Sequence, residues 1–169
     1  MSLRAFIVLL TSFLIVSCSD NAEIESNKKM ANDFLNLALS DNPKAAQLLT
    51  HPNFTFTFMG ETEISNIPYD RNTYFDEWIP NVVGGLLPGG ITLSATDMIA
   101  DAKGVALIME GDADGINGEY ENKYVFVYKF KEGLIHKVTE YNSDLLVATR
   151  LYKQKLIPIE ATEETEGKN

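Results

Sequence analysis

One cysteine, two histidines and one tryptophan are found among 169 residues. Cys18 therefore has no partner for an intrachain disulfide, and two isolated histidines without a cysteine pair give no zinc spacing. No apolar run reaches the roughly 20 residues that a membrane-spanning helix needs; AFIVLLTSFLIV, residues 5–16, has 12. Basic side chains are scarce. Fourteen Lys and Arg stand against 24 Asp and Glu, a formal charge of −10. A field of that sign repels phosphate backbones and anionic lipid, so nucleic acid is not an expected partner. Two glycine-rich stretches carry no recognisable ligand motif. VVGGLLPGG, residues 82–90, has neither a dinucleotide fingerprint nor a phosphate-loop lysine and reads as a flexible link. GDADGINGEY, residues 111–120, places Ile116 and Asn117 where a calcium loop needs an oxygen ligand and a glycine, and reads as a hairpin loop. No metal or cofactor is expected.

What remains is the composition of one globular domain, 45% hydrophobic and 22% charged. Its start has a distinct character. Arg4 precedes the 12-residue apolar run, which has the length of a signal-peptide core, and Ile15, Val16, Ser17 and Cys18 then resemble the bacterial lipobox. Cleavage before Cys18 leaves 152 residues, and removing Arg4 from the 14 bases gives 13 against 24 acids, a balance of −11. Acylation would use up the unpaired thiol, and two or three chains at about 0.8 kcal/mol per methylene would anchor the domain. The expected location is the cell envelope, with membrane contact through lipidated Cys18. Ser19, where enterobacterial inner-membrane lipoproteins carry Asp, favours the outer membrane if the organism has one.

The chain divides into a signal segment 1–17, a tether 18–21, a domain 22–152 and an acidic tail 153–169 without apolar period. A helix is expected over Ala22 to Leu39, with Met30, Phe34 and Leu37 or Ala38 on one stripe. Asn42 and Pro43 suit the cap and first position of a short second helix. Phe54, Phe56 and Phe58 alternate with threonines, the period of a half-buried strand. Tyr74, Phe75, Trp78 and Ile79 return to helical spacing, with Pro80 limiting that helix. Strands follow at about 91–100, 105–111, 120–130 and 134–141, joined at Lys103-Gly104, Asp114-Gly115 and Glu132-Gly133. Helices followed by an antiparallel meander give an α+β layout with helices on one sheet face.

The last hairpin indicates which side chains share a face. With a three-residue connection and Gly133 at a bulge, Phe130 lies opposite Leu134, Tyr128 opposite His136, Phe126 opposite Val138 and Tyr124 opposite Glu140. Glu140 then ends an aromatic face, and Lys129 and Lys137 lie on the other side together with Ile135.

The stretch YENKYVFVYKFKEGLIHKVTEYNSDLL resembles the C-terminal half of SnoaL-like, ketosteroid-isomerase-related proteins of the nuclear transport factor 2-like superfamily, and the preceding order of elements is similar over residues 22–151. The resemblance implies a curved antiparallel sheet wrapped around N-terminal helices, a conical apolar pocket for a small molecule, and a homodimer through the sheet. Its members include isomerases, polyketide cyclases, hydrolases and binding domains without chemistry. In the cyclases an acid near the end of the last strand performs acid/base work, and alignment on the glycine turn puts Glu140 there. Ser143, with Asp144 one place later, departs from the second acid common in related sequences. The Arg-x-Asp arrangement of the related epoxide hydrolases is not evident in VALIMEGD.

An apolar wall raises a carboxylate's proton affinity, so Glu140 is either a general acid/base or an ordinary rim glutamate. His136 is either a proton shuttle or a satisfied rim histidine, while His51, before Pro52, reads as surface. Trp78, Phe56, Phe58, Tyr124, Phe126 and Tyr128 line the pocket or simply fill a core. Asn122 either orients a ligand or holds a strand edge. Enzyme, small-molecule-binding lipoprotein and interaction module with a filled cone are the three classes left open.

Overall fold

The computed structural model describes residues 3–158, with side chains from residue 21 onward. Acylation at Cys18, the side chains of the signal segment and the tail 159–169 lie outside the described residues. Helix α1 (Leu3–Ala38) is continuous through the stretch expected as a tether. Among the described residues no helix is long and apolar enough to cross a membrane. The buried stripe of α1 is Ala31, Phe34, Leu35 and Ala38, with Met30 and Leu37 at its margins. Spacings of three and four place these residues on one face. Helix α2 (Pro43–Gln47) starts as expected, with Asn42 at the cap position and Pro43 at the first.

A curved six-stranded sheet follows, in the order β2-β1-β8-β7-β4-β3. Its strands are β1 (Thr50–Met59), β2 (Pro68–Asp70), β3 (Thr92–Asp101), β4 (Gly104–Asp112), β7 (Asn122–Lys131) and β8 (Leu134–Tyr141). β5 (Asp114–Gly115) and β6 (Gly118–Glu119) form a separate small hairpin, as the loop composition suggested. The long strands alternate buried and exposed positions, because one face packs on the helices and the other meets solvent. β1 lies parallel to β8, while the other neighbours are antiparallel. The core is aromatic. The Phe34 ring lies 5.8 Å from Phe54, 5.7 Å from Tyr74 and 6.2 Å from Tyr128, tying α1 to the sheet.

Between β2 and β3 the chain forms α3 (Arg71–Thr73), a ten-residue π-helix (Tyr74–Val83) and α4 (Gly84–Leu86). Asp70 starts this unit by accepting the N–H groups of Asn72 and Thr73, both at 2.9 Å. Pro80 does not end the helix as expected. The turns here are wide, Gly84 N–H donating to the Ile79 carbonyl five residues back, and Pro80 is accommodated within them.

The hairpin register also differs from expectation. Glu132 and Gly133 both have positive φ, 54° and 73°, and make a two-residue turn that pairs Lys131 with Leu134. A bulge at His136 then adds one residue on β8, so Lys129 faces Lys137 and Phe126 faces Glu140. Tyr124 is therefore two places from its expected partner but on the same face. Ile135, expected outside, points into the core, whereas Leu134 and His136 are only partly buried. His51 is corrected too: it is 6% exposed within β1, with its Nδ1 accepting the Asn53 N–H at 3.0 Å and its ring 5.2 Å from that of His136.

Candidate functional site

The strand order decides the surroundings of Glu140. β8 runs between β1 and β7, and in register Glu140 stands beside Phe58 on β1 and Phe126 on β7. Both neighbours are buried phenyl groups on the helix-packed face, so this carboxyl enters an apolar layer. A cavity of about 80 Å³ opens there, closed by Leu35 of α1, Trp78 of the π-helix and Leu87 beyond α4. Glu140, Tyr120, Tyr124, Phe58 and Phe126 contribute the opposite wall.

Glu140 is 8% exposed, and among the described residues no basic side chain forms an ion pair with it. Its polar partner is Asn142, whose Nδ2 donates to Oε1 at 3.0 Å. Burial disfavours the charged form and pushes the carboxyl up to about 8, with the Asn142 bond opposing that shift only in part. A group in this state can hold or release a proton near neutrality.

A second polar cluster shares the cavity. Tyr120 precedes β7 and is buried, and its hydroxyl oxygen accepts from Asn122 Nδ2 at 2.9 Å and from the Tyr124 hydroxyl at 3.1 Å. Burial raises the Tyr120 phenol, although both accepted bonds act in the other direction. Since both contacts use the oxygen as acceptor, the Tyr120 proton remains free to donate. Asn122 is held in turn, its Oδ1 accepting the backbone N–H groups of Lys123 at 2.8 Å and Ser143 at 3.1 Å.

Solved structures share this arrangement of elements. A candidate isomerase from Bacillus subtilis matches with a TM-score of 0.65 at 19% identity, over 78% of this chain and 96% of that one. A candidate SnoaL-like polyketide cyclase from Jannaschia sp. CCS1 matches with a TM-score of 0.63 at 12% identity, over 78% and 95%. A nuclear transport factor 2-like protein from Burkholderia xenovorans LB400 matches with a TM-score of 0.59 at 13% identity, over 76% and 97%. The fold is that of these SnoaL-like and nuclear transport factor 2-like proteins. No family model matches the chain, and no curated protein does so.

The cavity collects some of the residues singled out in the sequence and leaves others aside. Glu140, Tyr124, Trp78, Phe58 and Phe126 line it. Phe56 and Tyr128 lie in the core: Phe56 packs 4.9 Å from Tyr74 and 4.8 Å from Trp78, and Tyr128 packs against Phe34. Asn122 is buried behind Tyr120 rather than lining the cavity, and it ties the start of β7 to the segment after β8. His136 is also outside the cavity, beside His51. Sequence reasoning missed Tyr120 and Leu87. Tyr120 lies two and four residues before Asn122 and Tyr124, so extending the period-two pattern upstream marks it, whereas nothing periodic marks Leu87.

Proposed function

We propose that this domain holds a small, neutral, mostly apolar molecule in its cone and that Glu140 exchanges a proton with it. The observation that carries this reading is a carboxyl enclosed by Phe58 and Phe126, with no cation paired to it among the described residues, whose proton affinity burial brings to about 8. Such a group takes a proton from one atom of a bound molecule and returns it to another, as isomerisation or ring closure requires. The Tyr120 hydroxyl would meet a ligand oxygen that gains negative charge during that transfer. Two proteins of the same fold carry names from this range of chemistry, a candidate isomerase and a candidate polyketide cyclase.

Acylation of Cys18 would fix the domain to a membrane of the cell envelope, and replacing Cys18 with Ala should abolish fatty-acid labelling and release the protein; retained label refutes it. A second copy would pack on the outer sheet face, where Ile99 is 64% and Tyr141 47% exposed. Sedimentation at micromolar concentration tests that pairing.

Thermal-shift screening with small cyclic carbonyl compounds would supply a ligand, since binding to the folded state raises apparent stability. With a substrate in hand, Glu140→Gln should keep binding and lower turnover by about a hundredfold or more. Turnover at the wild-type rate would reduce Glu140 to a structural residue. A ligand that binds both forms equally and is never transformed favours the binding-protein reading instead.

A further inference from the structure

The cavity is small for the molecules such a cone would serve. An apolar cavity of roughly 150 Å³ takes up benzene, and the space at Glu140 is about 80 Å³. Much of its wall comes from one stretch of chain, 78–93, and within that stretch Leu87 is 7% exposed and faces the cavity. Leu87 is flanked by Gly84-Gly85 on one side and by Pro88 with Gly89-Gly90 on the other.

These glycines are not explained by packing. A Cβ at Gly85 or Gly89 would meet nothing within 4 Å, and one at Gly84 would make only an ordinary contact, 3.5 Å from the Ile79 carbonyl oxygen. Gly90 alone has a positive φ, 81°, which favours glycine. An alanine at a tolerant position stabilises a fold by a factor of roughly two to five through the unfolded chain, and that gain is forgone at three positions here. The hydrogen bonds of the stretch are internal: Leu87 N–H donates to Val83 and Gly90 N–H to Leu87, both at 2.8 Å. Among the described residues no hydrogen bond ties residues 84–90 to the sheet. Seating one leucine side chain is worth a factor of roughly ten to a hundred in equilibrium, so the open form would be a minor but accessible population.

We propose that Leu87 is a movable plug in the cone and that the two glycine pairs are its hinges, so that the stretch 84–90 sets the size of molecule admitted. The inference rests on the cone being a ligand site, but its test needs no ligand. Placing Leu87→Cys in a Cys18→Ala background leaves one thiol, whose modification by an aromatic disulfide reagent reports exposure of position 87. Leu107→Cys, at a fully buried core position, reports global unfolding in the same background.

The position-87 thiol should react at least tenfold faster than the position-107 thiol. Adding Gly85→Ala and Gly89→Ala should slow it severalfold after correction for any change at position 107. Equal rates at the two positions, or a position-87 rate insensitive to the alanines, would overturn the plug. Either result would leave the ligand reading to its own binding assay, whereas a plug that opens over a cone binding no compound would overturn that reading alone.

Discussion

Replacing Glu140 with Gln should remove a large part of this protein's dependence of stability on pH. The carboxyl is held at about 8 in the folded chain against an ordinary value of 4.5. Below about pH 4.5 it is protonated in both states and costs nothing. Between the two values the folded chain keeps a proton that the unfolded chain releases, so stability falls as pH rises, and above about 8 the full penalty is present. An interval of about 3.5 pH units at about 1.4 kcal/mol per unit gives a ceiling of about 5 kcal/mol. Typical domains have roughly 5–15 kcal/mol in total, so the effect is measurable even at a third of that ceiling. Gln has the same shape and can still accept the Asn142 bond but has no titrating proton. Urea midpoints of both proteins, measured from about pH 5 to about pH 9, should nearly coincide at the acid end and diverge towards the alkaline end, with the variant more stable. At an m-value of about 2 kcal/mol per molar urea the separation should approach about 2 M. A separation that does not change with pH would show that the carboxyl is not desolvated as the structure has it.

Tyr128→Phe should raise stability by about 1 kcal/mol, because the Tyr128 hydroxyl is buried without a hydrogen-bond partner and its loss removes only a desolvation penalty. Calorimetry would show this, and a loss of stability would mean that the hydroxyl has a partner in solution. Gly111→Ala should destabilise by about 1–3 kcal/mol and disturb the cone, since the new Cβ would meet Tyr124 Cε2 at 2.6 Å. A wild-type unfolding midpoint in that variant would refute the close approach of Gly111 to the Tyr124 ring.

The long strands were legible because Phe54, Phe56 and Phe58, and later Tyr124, Phe126 and Tyr128, alternate with residues of the opposite face, and sheet pleating has a period of two. The same period puts Glu140 on the Tyr124 face in the expected register and in the observed one alike. The turn and the bulge together shift the pairing by two residues, which preserves the face. The turn itself was not legible. It requires Glu132 at a φ of 54°, a conformation that non-glycine residues seldom adopt and that neighbouring composition does not announce. Burial of His51 depends on β1 lying beside β8, a pairing between residues more than eighty apart, and no local pattern carries such information. The passage of the π-helix through Pro80 likewise reverses a local rule, because the wider turn tolerates the proline. Within the site, the apolar walls and the acid were readable from side-chain type. The Asn122–Tyr120–Tyr124 hydrogen bonds depend on how the chain enters β7.

The position of β8 has a consequence for the order in which this chain can fold. Among the described residues it is the last strand in sequence, but it lies inside the sheet, between β1 and β7. Until residues 134–141 are available, β1 and β7 each present an unpaired edge, the kind of surface on which chains associate with one another. Closing β8 against β1 also joins positions far apart along the chain, which makes it a slow step by loop entropy. That late strand carries Glu140, so completing the sheet near neutral pH requires a carboxylate to pick up a proton as it leaves water. Refolding should therefore slow as the solution is made more alkaline, and a chain truncated before Leu134 should aggregate rather than settle into a smaller sheet.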